Sequence, residues 1–313
     1  SGRIKMSRNA TKDLTTGSPM KLILGFGIPL LFGMLFQQFY NMMDTIIVGK
    51  FLGVSALASV GATGSINFMI IGFCMGVCNG FAIPVAQRFG ARDEHGMRKF
   101  VANSVWLSII FAVVMAVLVC VFCRQILELM NTPEDIIDGS YSYIFVIFLG
   151  IPATYMYNLL SGIMRSLGDS KTPLYLLIFS SILNIVMDLW MVAGLGLGVF
   201  GAALATLIAQ GISAVFSLLI FFYRMRRYKS SFVWFDGQEL RSMLRIAVPS
   251  VLQQSTVSIG MMIVQAVVNP FGTQALAGYA ATMRVENVFS LIFVSIGNAV
   301  SPFVSQNLGA NKT

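Results

Sequence analysis

Eight apolar runs of membrane-spanning length leave this chain few ways to fold. They cover residues 21–49, 56–86, 99–123, 140–164, 173–194, 199–223, 243–268 and 275–305. A run of about twenty apolar residues crosses a bilayer as a helix, because only a helix satisfies its own backbone polar groups where water is absent. Charged residues make up 11% of the 313 and hydrophobic residues 56%, whereas soluble domains carry roughly a quarter charged. The predicted fold class is an all-α polytopic membrane protein. The first run holds Pro29, Gln37, Asn41 and Asp44, which sets it apart from a cleavable signal segment.

The net charge of +8 follows topology rather than a nucleic-acid partner. If the N-terminus is cytoplasmic, the segments on that side hold most of the lysines and arginines, among them Arg88, Arg92, Arg165, Arg224 and Arg245. The opposite segments hold only Lys50 and Arg124, and Arg284 is left inside the eighth span. By the positive-inside rule this predicts a multi-pass membrane protein with a cytoplasmic N-terminus.

The chain also begins to repeat itself. Val48–Asp93 returns as Val267–Lys312 at a constant offset of 219 residues. The offset sets Gly53 against Gly272, Gln87 against Gln306, and Gly90-Ala91 against Gly309-Ala310. In so apolar a chain, a period of this length marks a duplicated membrane domain. Residues 1–223 are expected to form a six-helix first lobe and 224–242 a cytoplasmic linker. Residues 243–313 would supply the first two helices of a second lobe, which the chain leaves incomplete.

Acids within apolar spans carry the functional signal. An ionised carboxylate in hydrocarbon costs a few kcal/mol even on permissive scales, so each needs a partner, a wet cavity or a proton. Gln37, Tyr40, Asn41 and Asp44 follow i, i+3, i+4, i+7 spacing and share one helical face; Asn184 and Asp188 share another. Asp44, Asp188 and Thr206 fall at one depth, about 9 Å from the outer ends of their spans at 1.5 Å per residue. Two carboxylates, an amide and a hydroxyl at one level suit a proton site, or a Na+ site at Asp44 and Asp188. An interhelical hydrogen bond that only locks the bundle is the alternative. Pro29 permits a bend in the first span, either responsive to Asp44 or fixed by packing. Arg284 and Glu286, two apart on their helix, do not face each other and are candidates for a central cavity, as are Tyr40 and Asn41.

Other chemistries lack their residues. Cys74, Cys78, Cys120 and Cys123 sit in apolar runs without His or acidic company, so no metal site is expected. The glycine-rich Gly194–Gly201 follows no strand and reads as a tight turn between spans. His95 lies in a charged loop. No HExxH or Ser/His arrangement points to an intramembrane enzyme, and no cofactor is implied beyond a coupling H+ or Na+.

The segments PLLFGMLFQQFYNMMDTIIVGKFLG, MRSLGDSKTP and LNIVMDLWMV, with the QRFGA and QNLGA span ends, resemble the multidrug and toxic compound extrusion (MATE) family. The resemblance covers nearly the whole chain and is closest to the prokaryotic branch with an acidic site in the first lobe. It implies twelve spans in two lobes that rock by alternating access, in a monomer. It also implies a first-lobe ion network of Gln37, Asp44, Asn158, Asn184, Asp188 and Thr206, and export of cationic amphiphilic compounds in exchange for H+ or Na+. A flippase for a lipid-linked substrate is the alternative on the same architecture; Arg284, read as the single base within the spans, counts against the basic cavity it would need. Leu189 stands where the family often has proline after the span-five acid.

Overall fold

A computed structural model of the chain describes residues 13–129, 134–225, 237–271 and 273–312; the expected helix start at Thr132-Pro133 and most of the 224–242 linker lie outside them. Every regular element among the described residues is helical. Helix α1 (Pro19–Leu52) begins with proline in its first turn, where the missing amide proton costs nothing, and stops at Gly53, whose φ of 87° suits glycine. The second span is broken into α2 (Val54–Ala62) and α3 (Gly64–Gly90). In α4 (Glu94–Val121), Asp93 caps the first turn by accepting from the Gly96 amide at 2.9 Å. A short α5 (Cys123–Leu129) follows.

The fourth span departs from the expected single rod. It is α6 (Ile137–Leu149) followed by α7 (Ile151–Ser166), bent by 48° at Gly150, with proline in the first turn of α7. Helix α8 (Lys171–Asp188) runs into a π-helical turn at Leu189–Gly194, so that span is irregular beside its acid although it lacks the family's proline. The Leu195 and Leu197 amides close the turn on the Trp190 and Met191 carbonyls, and Gly196 and Gly198 take φ of 64° and 68°. The last three long helices are α9 (Gly198–Met225), α10 (Gly237–Val268) and α11 (Thr273–Gly309). Pro249 lies well inside α10.

Among the described residues, five helical stretches are individually long and apolar enough to cross a membrane, and the bent α6–α7 pair makes a sixth. Helices α3 and α10 pack along each other through small residues: Gly76 faces Ser250 and Val251, and Gly80 faces Ala247. Outward-facing residues are apolar instead. Val113, Val117 and Val121 on α4, Ile182 and Val186 on α8, and Val215, Leu219 and Phe222 on α9 are all about half exposed. That belt suits lipid contact and marks a multi-pass membrane protein.

At the end of the bundle that holds the N-terminus of α1, the repeat closes on itself. A Cβ added to Gly90 would run into the Gln306 backbone carbonyl, and one added to Gly309 would run into that of Gln87. These are repeat-related residues meeting across the join, as in a two-fold interface. The Gln306 side chain, fully buried, accepts from the Leu14 amide and donates to the Ser166 carbonyl, both at 2.9 Å. Asn307 donates to the Leu14 carbonyl at 3.0 Å and Lys312 to that of Thr15 at 2.8 Å. The segment before α1 is thus stitched to α11. Beside this seal the MRSLGDSKTP loop is held by Asp169, which caps the start of α8 through the Lys171 and Thr172 amides and pairs with Arg224 of α9.

Candidate functional site

The π-helical turn, α1 and α9 meet around Asp188, whose side chain is completely buried. Asp44 of α1 lies within hydrogen-bonding reach of it. Asn184, one turn earlier on α8, donates its amide to the Tyr40 hydroxyl at 2.7 Å and to Thr206 Oγ1 at 3.4 Å, while Thr206 donates to the Ala202 carbonyl at 3.2 Å. Tyr143 of α6, also buried, stands beside Tyr40 and both acids. Ile47, Val48, Val146, Val192, Ala202 and Ala203 wall the cluster with apolar surface.

The donors and acceptors do not balance. Four buried oxygens have no hydrogen-bond partner: Asp44 Oδ1, Asn184 Oδ1 and both carboxylate oxygens of Asp188. No lysine or arginine among the described residues pairs with either acid. A buried acceptor without a partner costs about 1–3 kcal/mol, and more when charged. A proton shared between the carboxyls, or a small cation taking these oxygens as ligands, relieves that cost. The residues present fit either ion.

The six-residue network expected from the family resemblance divides in two. Asp44, Asn184, Asp188 and Thr206 come together, joined by Tyr40, which belongs to this cluster rather than to a cavity. Gln37 and Asn158 line a separate central cavity of about 620 Å³, and Asn158 donates to the Thr154 carbonyl of its own helix at 2.9 Å. The 48° bend explains Asn158: it sits on α7, whereas Tyr143 on α6 points into the cluster. Pro29 lines the cavity too; α1 continues through it without the hydrogen bond that its ring denies the Gly25 carbonyl. Glu286 is exposed on α11 and is not part of the cavity wall. Asn41 and Arg284 lie outside the residues whose side chains the structure describes.

The cavity runs between the first six spans and the last two. Gln253 and Gln254 of α10 and Asn298 of α11 face Gln37 and Asn158 across it, and Met34, Met75, Leu174 and Leu177 supply apolar wall. Three residues of the cluster and the cavity were not legible as site residues. Gln210, four after Thr206 on the same face of α9, could have been found by spacing. Tyr143 could have been found by its depth in span four. Arg165, counted with the cytoplasmic loop cations, is a helical residue of α7 that lines the cavity.

Comparisons with known proteins agree with this architecture. A probable multidrug resistance protein, YoeA, of Bacillus subtilis (strain 168) is 32% identical over 298 residues, covering 92% of this chain and 64% of the relative. An FAD transporter of Shewanella oneidensis is 24% identical over 302 residues, covering 93% and 66%. The chain thus spans about two thirds of the length of these relatives. A crystal structure of a MATE transporter in complex with MaD5 superposes with a TM-score of 0.89 at 27% identity, over 97% of this chain and 69% of that one. The MatE family profile matches residues 29–190 and 249–313, taking in the helices that carry Asp44 and Asp188 and the one that carries Gln306. On that match the chain belongs to the MatE family.

Proposed function

We propose that this chain is part of a secondary active antiporter that exports amphiphilic organic compounds in exchange for H+ or Na+ bound at Asp44 and Asp188. The observation that carries the reading is the excess of buried, unpartnered oxygens around two adjoining carboxyls in an apolar shell. Loading one cation there satisfies the acceptors; emptying the site leaves two charges that attract water and push the helices apart. Because Asp44 shares α1 with Pro29, and Pro29 lines the cavity, loading can be passed to cavity shape through one helix. The distribution of basic residues supports a cytoplasmic position for the seal at Gln306, which on this reading is the contact that opens for inward access. The Bacillus subtilis relative is named a probable multidrug resistance protein, which supports the export reading.

The test is exchange by the full-length transporter in vesicles, with a proton or a sodium gradient imposed separately. Asp44→Asn and Asp188→Asn each remove the charge while keeping the shape. Loss of gradient-driven export in both is expected; full coupled export by either variant refutes the assignment. The gradient that drives wild-type export identifies the ion.

A further inference from the structure

Arg165 gives the central cavity a charge opposite to the one a cationic substrate would need. Among the described residues that line it there is no carboxylate, and Arg165 is the single ionised side chain. A guanidinium stays charged at any pH a cell meets, so burial does not remove the charge. Other arginines of the bundle are satisfied: Arg224 pairs with Asp169 and Thr172, and Arg88 donates to the Gly96 carbonyl and lies over the Phe100 ring. Arg165 makes no ion pair or hydrogen bond among the described residues, and its polar neighbours are the Tyr157 hydroxyl and the Cys78 thiol.

The surroundings are arranged as a polar strip on an apolar wall. Tyr157, Ser161 and Arg165 follow at intervals of four on α7 and so form one ridge. Ser161, 3% exposed, has a hydroxyl oxygen without a geometrically formed hydrogen bond, and it interacts with the Tyr157 side chain. Gln210 Oε1 is likewise buried and unpartnered, and all four residues line the cavity. A guanidinium flanked by hydroxyl donors matches a carboxylate, phosphate or sulfonate, which accept two parallel N–H bonds from arginine. A volume of about 620 Å³ with thioether and leucine surface suits the apolar body attached to such a group.

We propose that the central cavity takes amphiphilic organic molecules bearing an anionic group, with Arg165 as its counter-charge. This deepens the exporter reading and departs from the cationic class that the family resemblance implies. It also removes the objection to an anionic substrate that rested on Arg284 as the single base within the spans.

The test is fluorescence titration of the purified full-length transporter with two dansylated alkyl probes of equal length, one ending in a carboxylate and one in a trimethylammonium. Wild type is expected to bind the carboxylate probe at least tenfold more tightly. Arg165→Gln is expected to abolish that preference by weakening the carboxylate probe alone, and Arg165→Lys to keep part of it. Equal or tighter binding of the trimethylammonium probe by wild type overturns the proposal without any variant having to fold. Equal weakening of both probes by Arg165→Gln overturns it too, since a merely structural arginine behaves that way. Titration in phosphatidylcholine vesicles with and without phosphatidylglycerol separates the two sources of anion: competition by phosphatidylglycerol assigns the site to a lipid headgroup, its absence to a soluble organic anion. Equilibrium binding needs no ion gradient, so Asp188→Asn should keep the charge preference while losing coupled export, which separates failure of this proposal from failure of the antiport reading.

Discussion

The acid cluster, built on α1, α6, α8 and α9, and the seal, where α3 meets α11, obey opposite rules. At the seal, repeat-related residues perform one task twice: Gly90 lies on the Gln306 carbonyl as Gly309 lies on that of Gln87. At the acid cluster the repeat gives no help, because the 219-residue offset sets Asp44 against Ile263 and carries Asp188 past Thr313. The seal is close backbone packing with its polar groups satisfied. The cluster is a polar pocket with acceptors left over. The duplication is visible in the backbone of the seal, whereas at Asp44 the two copies differ.

That contrast can be broken experimentally, and the largest effect belongs to the cluster. Asp188→Asn should reduce gradient-driven export to background while the thermal melting temperature in detergent stays near wild type, since Asn keeps the shape and sheds a buried charge. Gly90→Ala and Gly309→Ala come next. Each drives a methyl into opposing backbone, and overpacking of this kind costs about 1–3 kcal/mol. Symmetry predicts similar losses for the two variants, read as melting temperature and as increased labelling of a cysteine placed at Leu14; a large inequality would show that the seal is not two-fold.

Side chains at the seal are less symmetric than its backbone. Gln306→Ala removes two hydrogen bonds and leaves the Leu14 amide and the Ser166 carbonyl buried without partners, at about 1–3 kcal/mol for each. Gln87→Ala should cost less by thermal denaturation, because the Gln87 side chain makes no such bond among the described residues. In the cluster, Tyr40→Phe takes away the 2.7 Å acceptor of the Asn184 amide, a loss of about 0.5–1.5 kcal/mol, seen as weaker apparent affinity for the coupling ion.

The smallest effect is a pH dependence at Asp13. Partial burial there opposes ionisation, but the Thr15 hydroxyl and amide, with Arg92 and Lys312 nearby, outweigh it and hold the carboxyl below its ordinary value of 3.8. A lowered folded-state value means that the stabilisation is complete above the unfolded value and is lost as pH falls through the folded one. Melting curves from pH 6 down to about 3 should therefore show a slightly smaller acid loss for Asp13→Asn than for wild type. Identical curves would mean that the Asp13 carboxylate adds nothing measurable to the hold on the segment before α1.

Much of this was legible in the residues. Run length gave eight helical spans, and their observed bounds differ by a few residues, mostly where proline and glycine reset the chain. Helical spacing placed Asn184 and Asp188 on one face, and depth along the span brought Asp44 and Thr206 to their level. Gln37 and Asn158, carried over with them from the family resemblance, line the cavity instead. Spacing within one helix says nothing about the tilt of the next, and the break at Gly150 turns α7 away from α6 by 48°. Arg165 was misplaced for a related reason: charge near a span end reads as loop until the helix is seen to run one residue past it.

The sequence by itself determined the class of protein, the duplication and the depth of the two buried acids, because hydrophobic length, repeat offset and helical period are properties of one strand of chain. Only the tertiary structure decided which oxygens are left without partners, which arginine faces the cavity and how the copies meet. Those depend on how each helix is rotated against its neighbours, and that is fixed by packing between segments far apart in the chain.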